Sequence, residues 1–75
     1  MVSNNIFGER VRELRLSKKL KQSELGEVVS LSFQAINSIE RGRRNTTFEN
    51  LVKLAKYFDV STDYLLGVSD VKKRR

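Results

Sequence analysis

The stretch from Gln22 to Gly42 constrains the fold more than any other part of the chain. Its apolar residues recur at helical spacing in two short runs, and Ser30 lies at the break between them. This pattern predicts two short helices, residues 22–29 and 32–41, joined by a tight turn. The residues that then face inward are Leu25, Val28, Val29, Ile36 and Ile39.

The outward face of the second of these helices is polar and aromatic and carries almost no charge. Gln34 and Asn37 could each pair with the N6 and N7 atoms of adenine, and Ser38 could donate or accept a hydrogen bond. Phe33 could pack against a thymine methyl group or against its own neighbours. On a basic protein, such a face suits the edges of DNA bases in the major groove. The alternative is that these residues form only a solvated helix face.

The net charge favours a polyanionic partner without deciding the question. The 75 residues carry 15 Lys and Arg against 9 Asp and Glu, a formal charge of +6. Residues 72–75 supply four of the cations, so the rest of the chain has 11 against 9 and is only mildly basic. An ordinary soluble surface would also account for this charge. The positions of the cations therefore matter more than their number.

The absence of cysteine and histidine narrows the possible chemistry. It excludes disulfides, Cys/His zinc sites, nucleophilic cysteine and Ser–His catalysis. No cluster of carboxylates suggests a general base, so we expect no enzyme, metal, cofactor or small-molecule ligand. No apolar run approaches the roughly 18 residues of a membrane span, and the start of the chain lacks the features of a secretory signal. We therefore expect a cytoplasmic protein with no membrane partner.

Helical patterns fill most of the remaining chain. They predict a first helix over about residues 4–18, a fourth from Thr47 or Thr46 to about Tyr57, and a short fifth that Ser61 caps and Gly67 closes. Thr46 and Glu49 have the spacing of a capping box for the fourth helix. The fold class is therefore all-α: a compact five-helix bundle in which the second and third helices form a helix-turn-helix. Residues 1–67 are expected to form this domain. Residues 68–75 are a basic C-terminal tail with too few apolar residues to pack, and we expect it to be flexible.

At this level of detail, the sequence resembles the lambda-repressor-like helix-turn-helix domains of the Xre or Cro/cI type. The resemblance extends over about residues 6–67. The residues that carry it are Gln22, Ser23, Glu24, Leu25, Ser32, Ile36, Ile39, Glu40, Arg41, Gly42, Leu51, Leu54, Ala55, Asp63, Tyr64, Leu65, Leu66 and Gly67.

The resemblance implies that the third helix, residues 32–41, enters the major groove of double-stranded DNA. The residues that it implies for base contacts are Phe33, Gln34, Asn37 and Ser38. Contacts with the DNA backbone are implied for Gln22, Ser32, Arg43, Arg44 and Asn45.

A pair formed by Arg15 and Glu40 is implied as a bridge between the first and third helices. Such a bridge would set the angle of the recognition helix more than it would add stability. Arg15 could alternatively face a phosphate.

Several positions depart from the pattern that is usual in this family. Lys21 stands where Thr or Ser would cap the second helix better. Gly26 replaces alanine, at a cost of roughly 1 kcal/mol in helix stability. Ser30 replaces the glycine of the turn, which costs about 1 kcal/mol if this residue is left-handed. Thr46 replaces a frequent proline.

These features predict a sequence-specific DNA-binding transcriptional regulator, with repression as the expected activity. It would act as a homodimer on a pseudo-palindromic operator, with two recognition helices about 34 Å apart. The expected dimer surface lies on the fourth and fifth helices. Its candidate residues, which could instead belong to the core, are Tyr57, Phe58, Tyr64 and Leu66.

Other functions remain open for this fold. A restriction-modification controller or an antitoxin would use the same module on a different target. A protein-interaction domain could keep the fold and lose DNA binding, but it would then be expected to lack the polar face and the pair Arg43 and Arg44. The sequence does not identify the operator or a regulating signal.

Overall fold

Five helices account for most of residues 4–73, the part of the chain that this computed structural model describes. They are α1 (Asn4–Ser17), α2 (Gln22–Val29), α3 (Phe33–Glu40), α4 (Phe48–Phe58) and α5 (Thr62–Leu66). The β pairing within residues 4–73 is a single antiparallel bridge between Val60 and Lys73. The predicted all-α, five-helix fold is confirmed. Residues 1–3 of the predicted domain, and Arg74 and Arg75 of the predicted tail, lie outside the described residues.

An apolar core joins the helices, because each of them turns an apolar stripe inward. α3 packs against both α1 and α2, α1 also packs against α5, and α2 packs against α4. Leu20 and Leu31, in the connections on either side of α2, are partly buried against this core. The buried core consists of Phe7, Val11, Leu25, Val29, Ile36, Ile39, Leu51, Leu54, Ala55, Phe58, Val60, Tyr64 and Leu65.

Two glycines allow α3 and the turn before it to approach their neighbours closely. A Cβ atom on Gly8 would overlap the carbonyl oxygen of Ile39, at the end of α3. A Cβ atom on Gly26 would overlap the carbonyl oxygen of Leu31, in the turn. The sequence predicted only a propensity cost at Gly26. The structure adds a packing reason for glycine there, since a larger residue would push the turn away from α2.

The turn between α2 and α3 depends on a left-handed residue. Ser30 has φ 57° and ψ 42°, and the Leu31 amide donates to the Gly26 carbonyl oxygen at 2.8 Å. Glycine is the usual residue for this conformation because it has no Cβ to clash with the backbone. Because Ser30 is left-handed, the steric cost of about 1 kcal/mol expected for a residue other than glycine applies here.

Side-chain caps define where the later helices begin. The Ser32 hydroxyl accepts from the Ala35 amide at 3.2 Å, and the Ser61 hydroxyl accepts from the Tyr64 amide at 3.0 Å. At α4 the predicted Thr46 cap is wrong. Thr47 caps this helix instead, because its hydroxyl is the one that reaches the Asn50 amide, at 3.2 Å. The Thr46 hydroxyl is buried and has no hydrogen-bond partner among the described residues.

α3 ends in a Schellman motif. The Arg43 amide donates to the Ser38 carbonyl oxygen at 2.9 Å, and the Gly42 amide donates to that of Ile39 at 3.0 Å. Gly42 has φ 74°, a left-handed conformation that glycine adopts without steric cost. This motif turns the chain sharply and places the basic residues 43 and 44 immediately beyond the end of α3.

The chain after α5 packs against the domain, contrary to expectation. The Arg10 guanidinium donates to the Ser69 carbonyl oxygen and to the Asp70 carboxylate, both at 2.7 Å, and lies 4.2 Å from the centre of the Tyr64 ring. The Ser61 amide donates to the Lys72 carbonyl oxygen at 2.8 Å. The expectation that the tail does not pack is therefore wrong for residues 68–73. Polar and cation–π contacts with a distant helix hold it, and apolar content does not reveal them.

Candidate nucleic-acid interface

The four residues predicted to contact bases share the outward face of α3. Phe33 is 53% exposed and Gln34 is exposed, while Asn37 and Ser38 are half-buried one turn further on. The opposite face, with Ala35, Ile36, Ile39 and Glu40, is buried. α3 therefore presents amide, hydroxyl and aromatic groups to solvent, with no charged side chain among them.

A buried ion pair holds α3 against α1 on the side opposite its exposed face. Arg15 Nε lies 2.6 Å from Glu40 Oε2, and Arg15 Nη2 lies 3.0 Å from Glu40 Oε1. The guanidinium also donates to the Leu20 carbonyl oxygen at 2.8 Å. Only 11% of the Arg15 side chain and 2% of the Glu40 side chain are exposed. The implied bridge between α1 and α3 is present, and the Arg15 guanidinium donates to both carboxylate oxygens of Glu40 in it.

This two-point contact fixes the rotation of α3 as well as its position. A bidentate guanidinium–carboxylate pair is planar and tolerates little twist. The hydrogen bond with Glu40 raises the pKa of Arg15 above its ordinary value, although burial acts in the opposite direction. Arg15 is therefore charged at neutral pH, and the pair is maintained there.

Gln22 extends the network from Glu40 to the outward face. Its amide nitrogen lies 3.2 Å from Glu40 Oε1 and 3.3 Å from Asn37 Oδ1. A glutamine amide has two N–H groups, and these two acceptors use both of them. A side-chain contact between Gln22 and a phosphate would require one of these hydrogen bonds to break. The phosphate contact that the resemblance implied for Gln22 stays a prediction.

Asn37 is oriented by the same hydrogen bond. Its Oδ1 atom accepts from Gln22, and its Nδ2 group has no hydrogen-bond partner among the described residues. The predicted bidentate contact with adenine needs both atoms of the Asn37 amide, so the two lone pairs of Oδ1 would have to accept from the base and from Gln22 together. The Nδ2 group can donate to a base without any change in this network.

The residues predicted to contact the DNA backbone flank α3 at both ends. Ser32 is exposed before the helix, and Arg43, Arg44 and Asn45 are exposed after it. Neither arginine forms an ion pair within residues 4–73, so both retain their full charge toward solvent. The arrangement is an uncharged helix face with cations beside it, which matches the distribution of base edges and phosphates in a DNA groove.

The residues predicted for a dimer surface lie largely in the core. Phe58 is 7% exposed and Tyr64 5%, and both pack among the apolar residues at the centre of the domain. Tyr57 is 39% exposed, but its ring packs edge-on against Phe58 and lies near the Lys18 ammonium group. Leu66 is partly buried. For Phe58 and Tyr64 the alternative, that they belong to the core, is the one that the structure shows.

The sequence did not single out Gly8 or Arg10 as functional, although both support the site or its surroundings. Gly8 lets α1 approach the end of α3, and the only available signal was a glycine inside a predicted helix. Arg10 contacts residues about 60 positions away, at Ser69 and Asp70.

Within residues 4–73, no helix combines the length and the apolar character that crossing a lipid bilayer requires.

Two helices joined by a tight turn, with the second fixed against the domain and exposed on its polar side, define a helix-turn-helix protein. Residues 11–65 match the helix-turn-helix family HTH_3, and the chain belongs to this family.

The chain is similar to a phage repressor and to a bacterial control protein. It is 38% identical over 65 residues to Repressor protein C2 of Salmonella phage P22, and 36% identical over 74 residues to Control protein C.BamHI of Bacillus amyloliquefaciens. These alignments include 87% and 93% of this chain. The crystal structure of the P22 c2 repressor in complex with synthetic operator 9T superimposes with a TM-score of 0.78 at 40% identity, covering 84% of this chain and 96% of that one.

These relatives differ in length. The chain spans 91% of C.BamHI but only 30% of the P22 repressor, and 54% and 58% of two Bacillus subtilis regulators. The similarity to the longer proteins therefore concerns their helix-turn-helix region.

Proposed function

We propose that this protein is a transcriptional regulator that binds double-stranded DNA through α3 and acts as a repressor. The observation that carries the proposal is the uncharged outward face of α3, held by the buried pair of Arg15 and Glu40 and flanked by the exposed Arg43 and Arg44. The similarity to a phage repressor whose structure was determined with an operator supports the same conclusion.

In this proposal α3 lies in the major groove and its outward side chains contact base edges. Gln34 is exposed and can present both its donor and its acceptor to an adenine. Asn37 presents a donor, because its Oδ1 atom accepts from Gln22, so it suits guanine O6 or N7 or thymine O4. Phe33 packs against a thymine methyl group, and Ser38 donates or accepts.

Affinity comes mainly from the residues around α3. Arg43 and Arg44 neutralise phosphates, and Asn45 and Ser32 add hydrogen bonds to the backbone. The first amides of α2 can also bind a phosphate, even while the Gln22 side chain is occupied with Asn37 and Glu40.

We propose further that the protein binds as a homodimer to a pseudo-palindromic operator. One α3 contacts few base pairs, so two copies related by a two-fold axis would supply the specificity of a longer site. We propose a binding role and not a catalytic one, since the sequence contains neither histidine nor cysteine.

The proposal is tested by comparing two variants on a duplex selected by the protein and on a scrambled duplex. Gln34→Ala should lose about 1–3 kcal/mol on the selected duplex only, because it removes a base contact. Arg43→Ala should weaken both duplexes similarly and reduce the dependence of log K on log salt by about one unit, because it removes a phosphate contact. Each variant serves as the control for the other.

Two outcomes would contradict these assignments. An equal loss of affinity on both duplexes for Gln34→Ala would contradict the assignment of Gln34 as a base-contacting residue. An unchanged salt slope for Arg43→Ala would mean that this residue does not contact a phosphate. Wild-type protein that showed no affinity for DNA at low salt would overturn the proposed function itself.

A further inference from the structure

Four exposed apolar side chains lie on the outer side of α4 and on the packed C-terminal segment. Phe48 is 85% exposed and Val52 41% on α4, and Val68 and Val71 are 57% and 58% exposed on the segment. Val52 joins the two parts, because it lines an open groove with Phe48 and also a cavity with Val68 and Val71. We call these four residues the α4–tail surface.

Adjoining exposed apolar side chains mark interaction sites, whereas single ones on a protein surface are ordinary. Among the other exposed apolar residues, Leu16 is a single side chain on α1, Tyr57 packs against Phe58, and Phe33 lies on the candidate DNA-binding face. The α4–tail surface differs from these because its members adjoin and have no such contact or ligand.

The charges around this surface indicate what kind of partner it fits. Glu49 and Lys53 flank Phe48 and Val52, while Lys56, Asp63 and Lys73 line the cavity. Because two carboxylates lie among three lysine ammonium groups, the rim lacks the uniform positive charge that would suit DNA or an acidic protein. A rim that carries both signs is complementary to a second copy of itself.

We propose that the α4–tail surface pairs with the same surface of a second copy of this chain. This inference rests on the proposed function, because it assigns the dimer surface of the proposed regulator. It replaces Phe58 and Tyr64, which are buried in the core, with residues that are available for contact.

The geometry of α4 supports a two-fold contact. Two α4 helices packed antiparallel, with Phe48 of each copy against Val52 of the other, bring Glu49 of each copy within about one helical turn of Lys53 of the other. Glu49 and Lys53 form no ion pair within residues 4–73, so both are available for this contact. The interface would thus have an apolar centre with charge pairs at its edge.

Sedimentation equilibrium of the full chain tests the surface directly. Wild-type protein should dimerise at concentrations below about 0.5 mM, and Phe48→Ser should weaken the dimer by at least about tenfold, since each substitution acts twice. Leu16→Ser is the matched control, because Leu16 is 50% exposed on α1, outside the surface. It should change the dimer dissociation constant by less than about twofold.

A charge exchange tests whether the partner is a second copy. Glu49→Lys and Lys53→Glu should each weaken the dimer by about three- to tenfold, because they place like charges across the interface. The double exchange should return the constant to within about twofold of wild type. Thermal unfolding of each variant monitors changes within α4 itself.

Several results would overturn the inference. They are a wild-type protein that stays monomeric over the whole concentration range, a dimer unaffected by Phe48→Ser, and a double exchange no better than the single ones. DNA affinity is measured separately on a duplex with one half-site. Loss of dimers with half-site binding intact would support this surface and the proposed function together, whereas dimers without DNA affinity would support the surface and contradict the function.

Discussion

The outward faces of α3 and α4 are both exposed, but the protein supports them in different ways. Beneath α3 lies a buried polar network of Arg15, Glu40 and Gln22, which reaches the outward residue Asn37. Beneath α4 the contacts are apolar. Hydrogen bonds orient individual side chains, as base recognition requires, whereas an apolar support only has to keep a surface in place.

The comparison can be tested most severely at Glu40. Glu40→Ala leaves the Arg15 guanidinium buried without its partner, so we expect a loss of about 3–5 kcal/mol in the free energy of unfolding. Urea denaturation measures this change. Glu13→Ala, an exposed position on α1, is the control and should change stability by no more than about 0.5 kcal/mol. Similar losses in the free energy of unfolding at the two positions would show that the buried network adds no stability beyond that of an exposed side chain.

The packing of the α2–α3 turn can be tested at Gly26. Alanine has the better helix propensity by about 1 kcal/mol, but its Cβ would overlap the Leu31 carbonyl oxygen. We expect Gly26→Ala to lower the free energy of unfolding by about 1–2 kcal/mol. The control is Glu27→Ala, which is exposed on the same helix. A stabilised Gly26→Ala variant would show that the turn can move away from α2.

The left-handed residue of the same turn offers a stabilising change. Ser30→Gly should raise the free energy of unfolding by about 1 kcal/mol, because it removes the steric cost of φ 57° at an exposed position. Ser30→Ala should give no such gain, since alanine keeps the Cβ. An equal gain from both substitutions would contradict the strain that we assign to this residue.

The smallest expected effect concerns the segment that completes the α4–tail surface. Arg10→Met removes the hydrogen bonds to Ser69 and Asp70, so residues 68–73 should detach more often. Hydrogen exchange at the Ser61 amide, which donates to the Lys72 carbonyl oxygen, should speed up while the overall stability falls by less than about 1 kcal/mol. Unchanged exchange at Ser61 would show that Arg10 does not hold the segment.

Local sequence patterns predicted the helices well, because each helix shows its own spacing and its own cap. Ser32, Ser61 and Gly42 all act within one turn of where they stand. The bridge between Arg15 and Glu40 joins distant residues, and resemblance to a known family was needed to predict it. The outward face of α3 was readable for the same reason as the helix itself.

The sequence did not predict features that depend on contacts between distant residues, or on a choice between two adjacent residues of the same type. Two adjacent threonines could each cap α4, and only the path of the chain selects Thr47. The amide of Gln22 turns toward Asn37 and Glu40 because those residues lie nearby in the fold. The segment 68–73 packs through Arg10, a partner that its own composition cannot reveal.

We propose that α3 contacts DNA bases while the α4–tail surface joins two copies. Selection of binding sites from a pool of randomised duplexes, performed with wild-type protein and with Phe48→Ser, tests both roles at once. We expect wild type to enrich an inverted repeat and Phe48→Ser to enrich a single half-site of the same sequence. Binding without any enriched sequence would contradict base recognition by α3, and an inverted repeat enriched equally by both proteins would contradict the dimer surface.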